Sequence, residues 1–176
     1  MKIKIDNKTI FETFNHYIFE FNSKNFDDCN DIRKIEINKE NIDVDCNAVG
    51  NTTRKWILDK YENVKGYYFL NEEFKIVGSC WVMFKGGDEK LYKVRKHDAM
   101  IFRLNVYEEY QKKGYGKRIM QKIISDLESN EKYSICLACS KKNVPALNLY
   151  KKLNGKIVEH HFFIRIFNKN IPYYVI

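Results

Sequence analysis

Hydrophobic and polar positions follow two different spacings along this chain, and together they predict a series of helices and strands. Apolar residues three or four positions apart are typical of helices, whereas apolar runs and alternation are typical of strands. We therefore predict helices over residues 8–24, 51–61, 117–127 and 143–153, and strands over residues 31–45, 66–70, 75–84, 98–106, 133–139, 156–159 and 162–167. The strand–helix–strand order in the middle predicts parallel pairing there, and the hairpins predict antiparallel pairing elsewhere.

The composition is that of one folded domain. Of the 176 residues, 44% are hydrophobic and 31% are charged, with 2 prolines and 8 glycines. These values exclude collagen, low-complexity linkers and largely disordered chains. No apolar run approaches the roughly 20 residues needed to cross a bilayer, and the first residues lack the apolar core of a signal peptide. We expect a single domain over residues 1–176 that is cytoplasmic and has no membrane partner.

The cysteines give no sign of a disulfide framework or a metal site. The chain has 5 of them and no secretory signal, which favours free thiols in a reducing compartment. Cys136 and Cys139 have C-x-x-C spacing, but residues three apart on a strand face opposite sides. No second C-x-x-C and no spaced histidine pair completes a zinc site, so we expect no metal.

The net charge of +8 is compatible with three classes of partner: nucleic acid, an acidic membrane surface, or a small polyanion. A nucleic-acid binder would show steep salt dependence. No helix is uninterruptedly basic and no low-complexity basic tail is present. We therefore favour a local anion site over a nucleic-acid partner.

Residues 111–118, Gln-Lys-Lys-Gly-Tyr-Gly-Lys-Arg, form a basic turn between a predicted strand and a predicted helix. Glycines let backbone N–H groups converge, and the open N–H groups at a helix start attract anions. Such a turn suits a pyrophosphate. It matches neither the Walker A pattern nor the G-x-G-x-x-G dinucleotide fingerprint. On these residues alone, an ordinary tight turn explains the G-x-G equally well.

Two segments, taken in order, resemble the signatures of the GNAT superfamily of N-acetyltransferases. Residues 104–116 resemble its acetyl-CoA signature, in which a strand leads into Q/R-x-x-G-x-G/A and then a helix. Residues 143–155 resemble its second signature, N-x-x-A-x-x-L-Y-x-x-x-G-F, although Asn154-Gly155-Lys156 replaces the usual ending. With the helix and strand between them, the signatures lie within residues 98–155.

This resemblance implies an α/β (α+β) single-domain fold. It has a mixed, mostly antiparallel sheet of about six to seven strands, with a central parallel splayed pair, a bulged strand before the turn, and helices on both faces. It also implies acetyl-CoA as cosubstrate, without metal, and direct attack by a primary amine in a ternary complex. The breadth of the family favours a small-molecule acceptor, and a homodimer is left open.

The resemblance assigns roles to individual residues. The backbone of Leu104, Asn105 and Val106 would run along the pantetheine arm and polarise the thioester carbonyl. N–H groups of the turn would hold the pyrophosphate: Gln111, Lys112, Lys113, Gly114, Tyr115, Gly116 and Lys117. Asn143 would hydrogen-bond the pantetheine arm. Tyr150 would contact the cofactor and protonate the departing thiolate.

The general base is less well defined. Met100 stands eleven residues before Gln111, where some relatives carry a catalytic Glu. Asp98 lies on the same strand face as Met100, with His97 beside it, and either residue could accept a proton through water. Asp98 could instead only cap the strand end. The missing Glu motivates an alternative function, a catalytically inactive acyl-CoA-binding regulatory or partner-binding module.

Overall fold

The computed structural model describes residues 2–5, 8–21, 26, 31–42, 58, 62–85, 94, 96–131, 134–166 and 169–174. These residues form β1 (Lys2–Ile5), β2 (Lys8–Phe21), β3 (Arg33–Ile37), β4 (Val64–Leu70), β5 (Ile76–Met83), β6 (Asp98–Val106), α1 (Tyr115–Glu131), β7 (Ser134–Ser140), α2 (Val144–Lys152), β8 (Lys156–Ile166) and β9 (Lys169–Tyr174). Leu58 is helical, but the rest of the predicted helix over 51–61 lies outside the described residues. The chain forms two compact units, residues 22–135 and residues 1–21 with 136–176.

In the unit of residues 22–135, strands β3, β4, β5 and β6 pair with one another in that order, each antiparallel to the next. The predicted hairpin of β4 and β5 is confirmed. Its turn is held by the Asn71 side chain, whose Oδ1 accepts the N–H groups of Glu73 and Lys75. Phe74 takes a positive φ of 60° there. In the described part of the strand predicted over 31–45, residues 31–42, only β3 is extended, and a turn over residues 39–42 follows it. Residues 43–45 lie outside the described residues.

Helix α1 buries the apolar face that its spacing predicted. The buried apolar side chains are Ile119, Met120, Ile123, Ile124 and Leu127. After this helix, the N–H of Ser134 donates to the carbonyl of His97, at 2.8 Å. The start of β7 therefore lies beside the start of β6, which is the arrangement of parallel strands.

In the unit of residues 1–21 and 136–176, β2 lies between β7 and β8, while β1 pairs with β2 and β9 pairs with β8. The predicted helix over residues 8–24 is wrong, because residues 8–21 are β2. Phe11, Phe14, Ile18 and Phe21 do fit helical spacing, but the segment is rich in aromatic and β-branched residues that favour strands. Pairing with a strand on each side decides its conformation. The two short runs predicted over 156–159 and 162–167 form one strand, β8, as far as Ile166, where the described segment ends. The register of β8 shifts opposite Ile18 and Phe19.

The predicted fold class is confirmed, since antiparallel strands predominate, one pair is parallel, and α-helices accompany them. Strands β2 to β8 account for the six to seven strands expected, and β1 and β9 extend the sheet beside β2 and β8. None of the helices among the described residues combines the length and the hydrophobicity of a membrane-spanning segment.

Candidate functional site

Strand β6 carries a bulge near its end. Phe102 lies opposite Trp81 and Asn105 lies opposite Ser79, so β6 has one residue more than β5 in this interval. Arg103 has a φ of 51°, a left-handed conformation that is uncommon outside glycine. A bulge interrupts the ladder and bends its strand. The bulge implied by the family resemblance is therefore present, directly before Leu104.

Beyond the bulge, a glycine lets β6 approach β5 closely. A Cβ added to Gly78 would lie 2.4 Å from the Asn105 carbonyl oxygen and 3.3 Å from the Val106 Cα. Only glycine fits under this backbone. The N–H of Tyr107 donates to the Val77 carbonyl at 3.0 Å. The backbone of β6 and its continuation therefore contact β5 at both residues that flank Val106.

The turn after β6 is tied to the strand that precedes it. A short 3-10 helix, Glu108–Tyr110, leads into the turn. The Gln111 side chain reaches back, and its Nε2 donates to the Val106 carbonyl at 3.0 Å. The first residue of the Q-x-x-G-x-G pattern thus connects the end of the strand to the turn.

The turn itself contains two residues with positive φ, Lys112 at 60° and Gly114 at 86°. The Gly114 carbonyl accepts the N–H groups of Lys117 and Arg118, at 3.0 and 3.3 Å, and so starts the hydrogen bonding of α1. Within the part of the chain that the structure describes, the N–H groups of residues 112–116 donate to no other protein group. Successive free N–H groups beside positive-φ residues and a helix start form an anion-binding concavity.

The surroundings of the turn also suit an anion. Apart from its two neighbours in the chain, no described residue has an atom within 4 Å of a Cβ built on Gly114, so the space above this backbone is open toward them. Lys112, Lys113 and Lys117 are exposed. The sequence pattern predicted that Arg118 would belong to the same cluster of positive charge. Its guanidinium instead forms an ion pair with Asp31, with 2.6 Å between a terminal nitrogen and Oδ2. Among the described residues, Lys112, Lys113 and Lys117 form no ion pair, so these lysines supply the uncompensated charge.

The start of β6 holds the residues considered for the general base. Asp98 is half-buried in the first position of β6, and Met100, on the same face, is buried. The carbonyl of the neighbouring His97 is engaged by Ser134. The side chain of Asp98 therefore retains some access to solvent, whereas Met100 offers no titratable group.

Asn143 and Tyr150 belong to the other unit, where they lie at the start of α2 and near its end. Asn143 caps α2 as predicted, because its Oδ1 accepts the Ala146 N–H at 3.3 Å. Tyr150 is 7% exposed, and its ring centroid lies 5.4 Å from that of Phe19 and 6.0 Å from that of Phe21. Packing against these two aromatic rings therefore accounts for the position of the Tyr150 ring, independently of any role of its hydroxyl group.

The histidines of β8 have different partners, as adjacent strand positions predict. Nε2 of His160 lies 2.5 Å from Asn15 Oδ1, whereas Nε2 of His161 lies 2.6 Å from Glu159 Oε2. Partial burial and the nearby charge of Lys141 lower the pKa of His160 below its usual value. Among the described residues, no group of three or more His, Cys, Asp or Glu side chains could hold a metal ion.

Two residues that contribute to this geometry were not selected from the sequence. Gly78 belongs to no sequence motif. Its role, which is to leave room for the backbone of β6, is seen only when the two strands are brought together. Asp31 is 87 residues from Arg118, and no local pattern connects them. Both contributions are long-range contacts, which spacing along the chain does not report.

Comparison with known proteins identifies the family. Residues 32–155, well over half of the chain, match the model of the acetyltransferase (GNAT) family. The chain belongs to the GNAT acetyltransferase family. It is 27% identical over 106 residues to the uncharacterised N-acetyltransferase YvbK of Bacillus subtilis, covering 57% of this chain and 68% of that protein.

Solved structures show the same fold at low sequence identity. A conserved protein of unknown function from Staphylococcus epidermidis matches with a TM-score of 0.65 and 16% identity, over 88% of this chain and 62% of that one. A GNAT-family acetyltransferase from Colwellia psychrerythraea matches with a TM-score of 0.60 and 12% identity, over 96% of this chain and 59% of that one. The chain therefore spans about three fifths of the length of these two proteins.

Replacing Gly78 with alanine is expected to lower the free energy of unfolding by about 1–3 kcal/mol, because the added Cβ overpacks against fixed backbone. Urea unfolding measures the change as a shift in midpoint without a change in slope. An unchanged midpoint would mean that the end of β6 does not need to lie against Gly78.

Proposed function

We propose that the chain is an acetyl-CoA-dependent N-acetyltransferase that moves an acetyl group to a primary amine of a small-molecule acceptor. The observation that carries this proposal is the turn of residues 111–117, with its open N–H groups at the start of α1 and its exposed lysines. Family membership supports acetyl transfer, and the turn supplies the anion site that a CoA pyrophosphate needs.

Each part of the cofactor has a proposed contact. The N–H groups of residues 112–116 hold the pyrophosphate, with Lys112 and Lys113 adding charge. The N–H groups of Gln111 and Lys117, which the resemblance also assigned to the pyrophosphate, already donate to the carbonyls of Glu108 and Gly114. The backbone of residues 104–106, directly after the bulge, lies along the pantetheine arm. Asn143 hydrogen-bonds the same arm, which its exposure at the start of α2 allows.

The reaction is direct attack in a ternary complex. The amine nitrogen must first lose its ammonium proton, which Asp98 accepts through a water molecule. The neutral nitrogen attacks the thioester carbonyl, and a C–N bond forms while the carbonyl oxygen becomes negative. Backbone N–H groups near the bulge stabilise this oxygen. Collapse then breaks the C–S bond, and the Tyr150 hydroxyl donates its proton to the CoA thiolate. The nitrogen, positively charged since the attack, loses its extra proton through water to the Tyr150 phenolate, which gives the neutral amide and restores the hydroxyl.

The function is tested by calorimetric titration with CoA and by a CoA-release assay over polyamines, amino sugars, amino acids and aminated antibiotics. Turnover is expected with at least one free amine and with none of the corresponding N-acetylated compounds, which serve as matched controls. Tight CoA binding without turnover on any amine would favour the alternative of an inactive acyl-CoA-binding module. Absence of CoA binding would overturn both functions.

Replacing Tyr150 with phenylalanine is expected to lower kcat by about 10²- to 10⁴-fold, because the departing thiolate loses its proton donor. CoA affinity and the melting temperature should be nearly unchanged, since phenylalanine keeps the packing against Phe19 and Phe21. Steady-state kinetics at saturating acetyl-CoA measure the effect. The matched control is Tyr17→Phe, which removes a hydroxyl from β2 in the same unit. Equal turnover in both variants would remove Tyr150 from the mechanism.

A further inference from the structure

One side chain of α1 holds three parts of the residue 22–135 unit together. A terminal nitrogen of the Arg118 guanidinium donates to Asp31 Oδ2 at 2.6 Å, and the other donates to the Lys113 carbonyl at 3.3 Å. The centre of the guanidinium lies 4.0 Å from the centroid of the Tyr115 ring. Arg118 therefore connects the segment before β3, the turn, and the first residue of α1.

The contact with Lys113 has a direct consequence for the turn. The Lys113 carbonyl and the Gly114 N–H belong to the same peptide unit, which is planar and trans, so they point in opposite directions. A guanidinium that fixes the carbonyl therefore also fixes the direction of the Gly114 N–H. This N–H is the central one of residues 112–116, whose N–H groups have no acceptor among the described residues.

The contact with Asp31 determines what Arg118 is available to do. Both side chains are about one third exposed, and an ion pair at such exposure adds little to overall stability. The pair instead neutralises the guanidinium and holds its plane against Tyr115. In this arrangement Arg118 orients the backbone, and the uncompensated charge at the turn comes from lysines.

We propose that Arg118 is a positioning residue that sets the direction of the backbone N–H groups in the pyrophosphate turn, and that Asp31 keeps it in this role. This inference rests on the proposed function, since it concerns the same CoA site. A different role for Arg118, as a direct phosphate ligand, predicts the opposite response when Asp31 is neutralised.

The first experiment measures CoA affinity by calorimetry in Arg118→Ala, Arg118→Lys and Asp31→Asn. If Arg118 positions the turn, Arg118→Ala should bind CoA about tenfold more weakly, which corresponds to the loss of one charge-assisted hydrogen bond. Its kcat at saturating acetyl-CoA should stay within about twofold of that of the unsubstituted protein. Lysine should rescue only part of the loss, because it lacks the planar fork and the stacking surface.

The matched control is Lys122→Ala, which removes the same charge and another ion pair from α1, the contact of Lys122 with Asp126 at 3.3 Å. It should leave CoA affinity unchanged. Asp31→Asn should weaken CoA binding if Arg118 positions the turn. Tighter CoA binding in Asp31→Asn would overturn the proposal, because it would show that a released Arg118 binds phosphate directly. The proposal would also fail if Arg118→Ala bound CoA with the same affinity as Lys122→Ala.

A second experiment needs no ligand. The N–H groups of Lys117 and Arg118 both donate to the Gly114 carbonyl, so their hydrogen exchange reports the order of the turn. In Arg118→Ala, this exchange should be about tenfold faster than in Lys122→Ala, which corresponds to the same loss of about one hydrogen bond. Equal exchange rates would overturn the positioning role. If exchange is faster in Arg118→Ala but the protein does not bind CoA, the positioning of the turn by Arg118 stands and the proposed function is wrong.

Discussion

Backbone N–H groups without an internal acceptor are the physical constraint on which the site depends. A folded chain normally pairs such groups, because an unpaired buried donor is costly. In the turn after β6, the N–H groups of residues 112–116 donate to no protein group that the structure describes, and the turn is exposed. Water satisfies them in the free protein, and an anion with several oxygen atoms can replace that water.

Four local features keep these groups unpaired. The bulge at Arg103 takes the end of β6 out of regular pairing, and Gly78 lets that end lie directly against β5. Gln111 then ties the turn to Val106, while the positive φ values of Lys112 and Gly114 reverse the backbone before α1 begins. Each feature is short-range in space, and together they place a helix start at the end of a strand.

Much of this region could be predicted because its sequence signals are local and agree with one another. The apolar face of α1, the glycine turn and the Asn143 cap each depend on residues within a few positions. The N-terminal region could not be predicted in the same way, because its apolar spacing suits a helix while pairing with β7 and β8 makes it a strand. The contact of Asp31 with Arg118 and the approach of β6 to Gly78 depend on residues far apart in sequence, so no local pattern reveals them.

Amide NMR spectra of isotope-labelled protein, recorded during a titration with CoA, test the anion site most directly. The largest shifts are expected at the N–H groups of residues 112–116, since hydrogen bonds to phosphate replace those to water. Desulfo-CoA, which keeps the pyrophosphate but lacks the thiol, should shift the same signals. Shifts concentrated elsewhere in the chain, with these five amides unmoved at saturation, would contradict a pyrophosphate site at this turn.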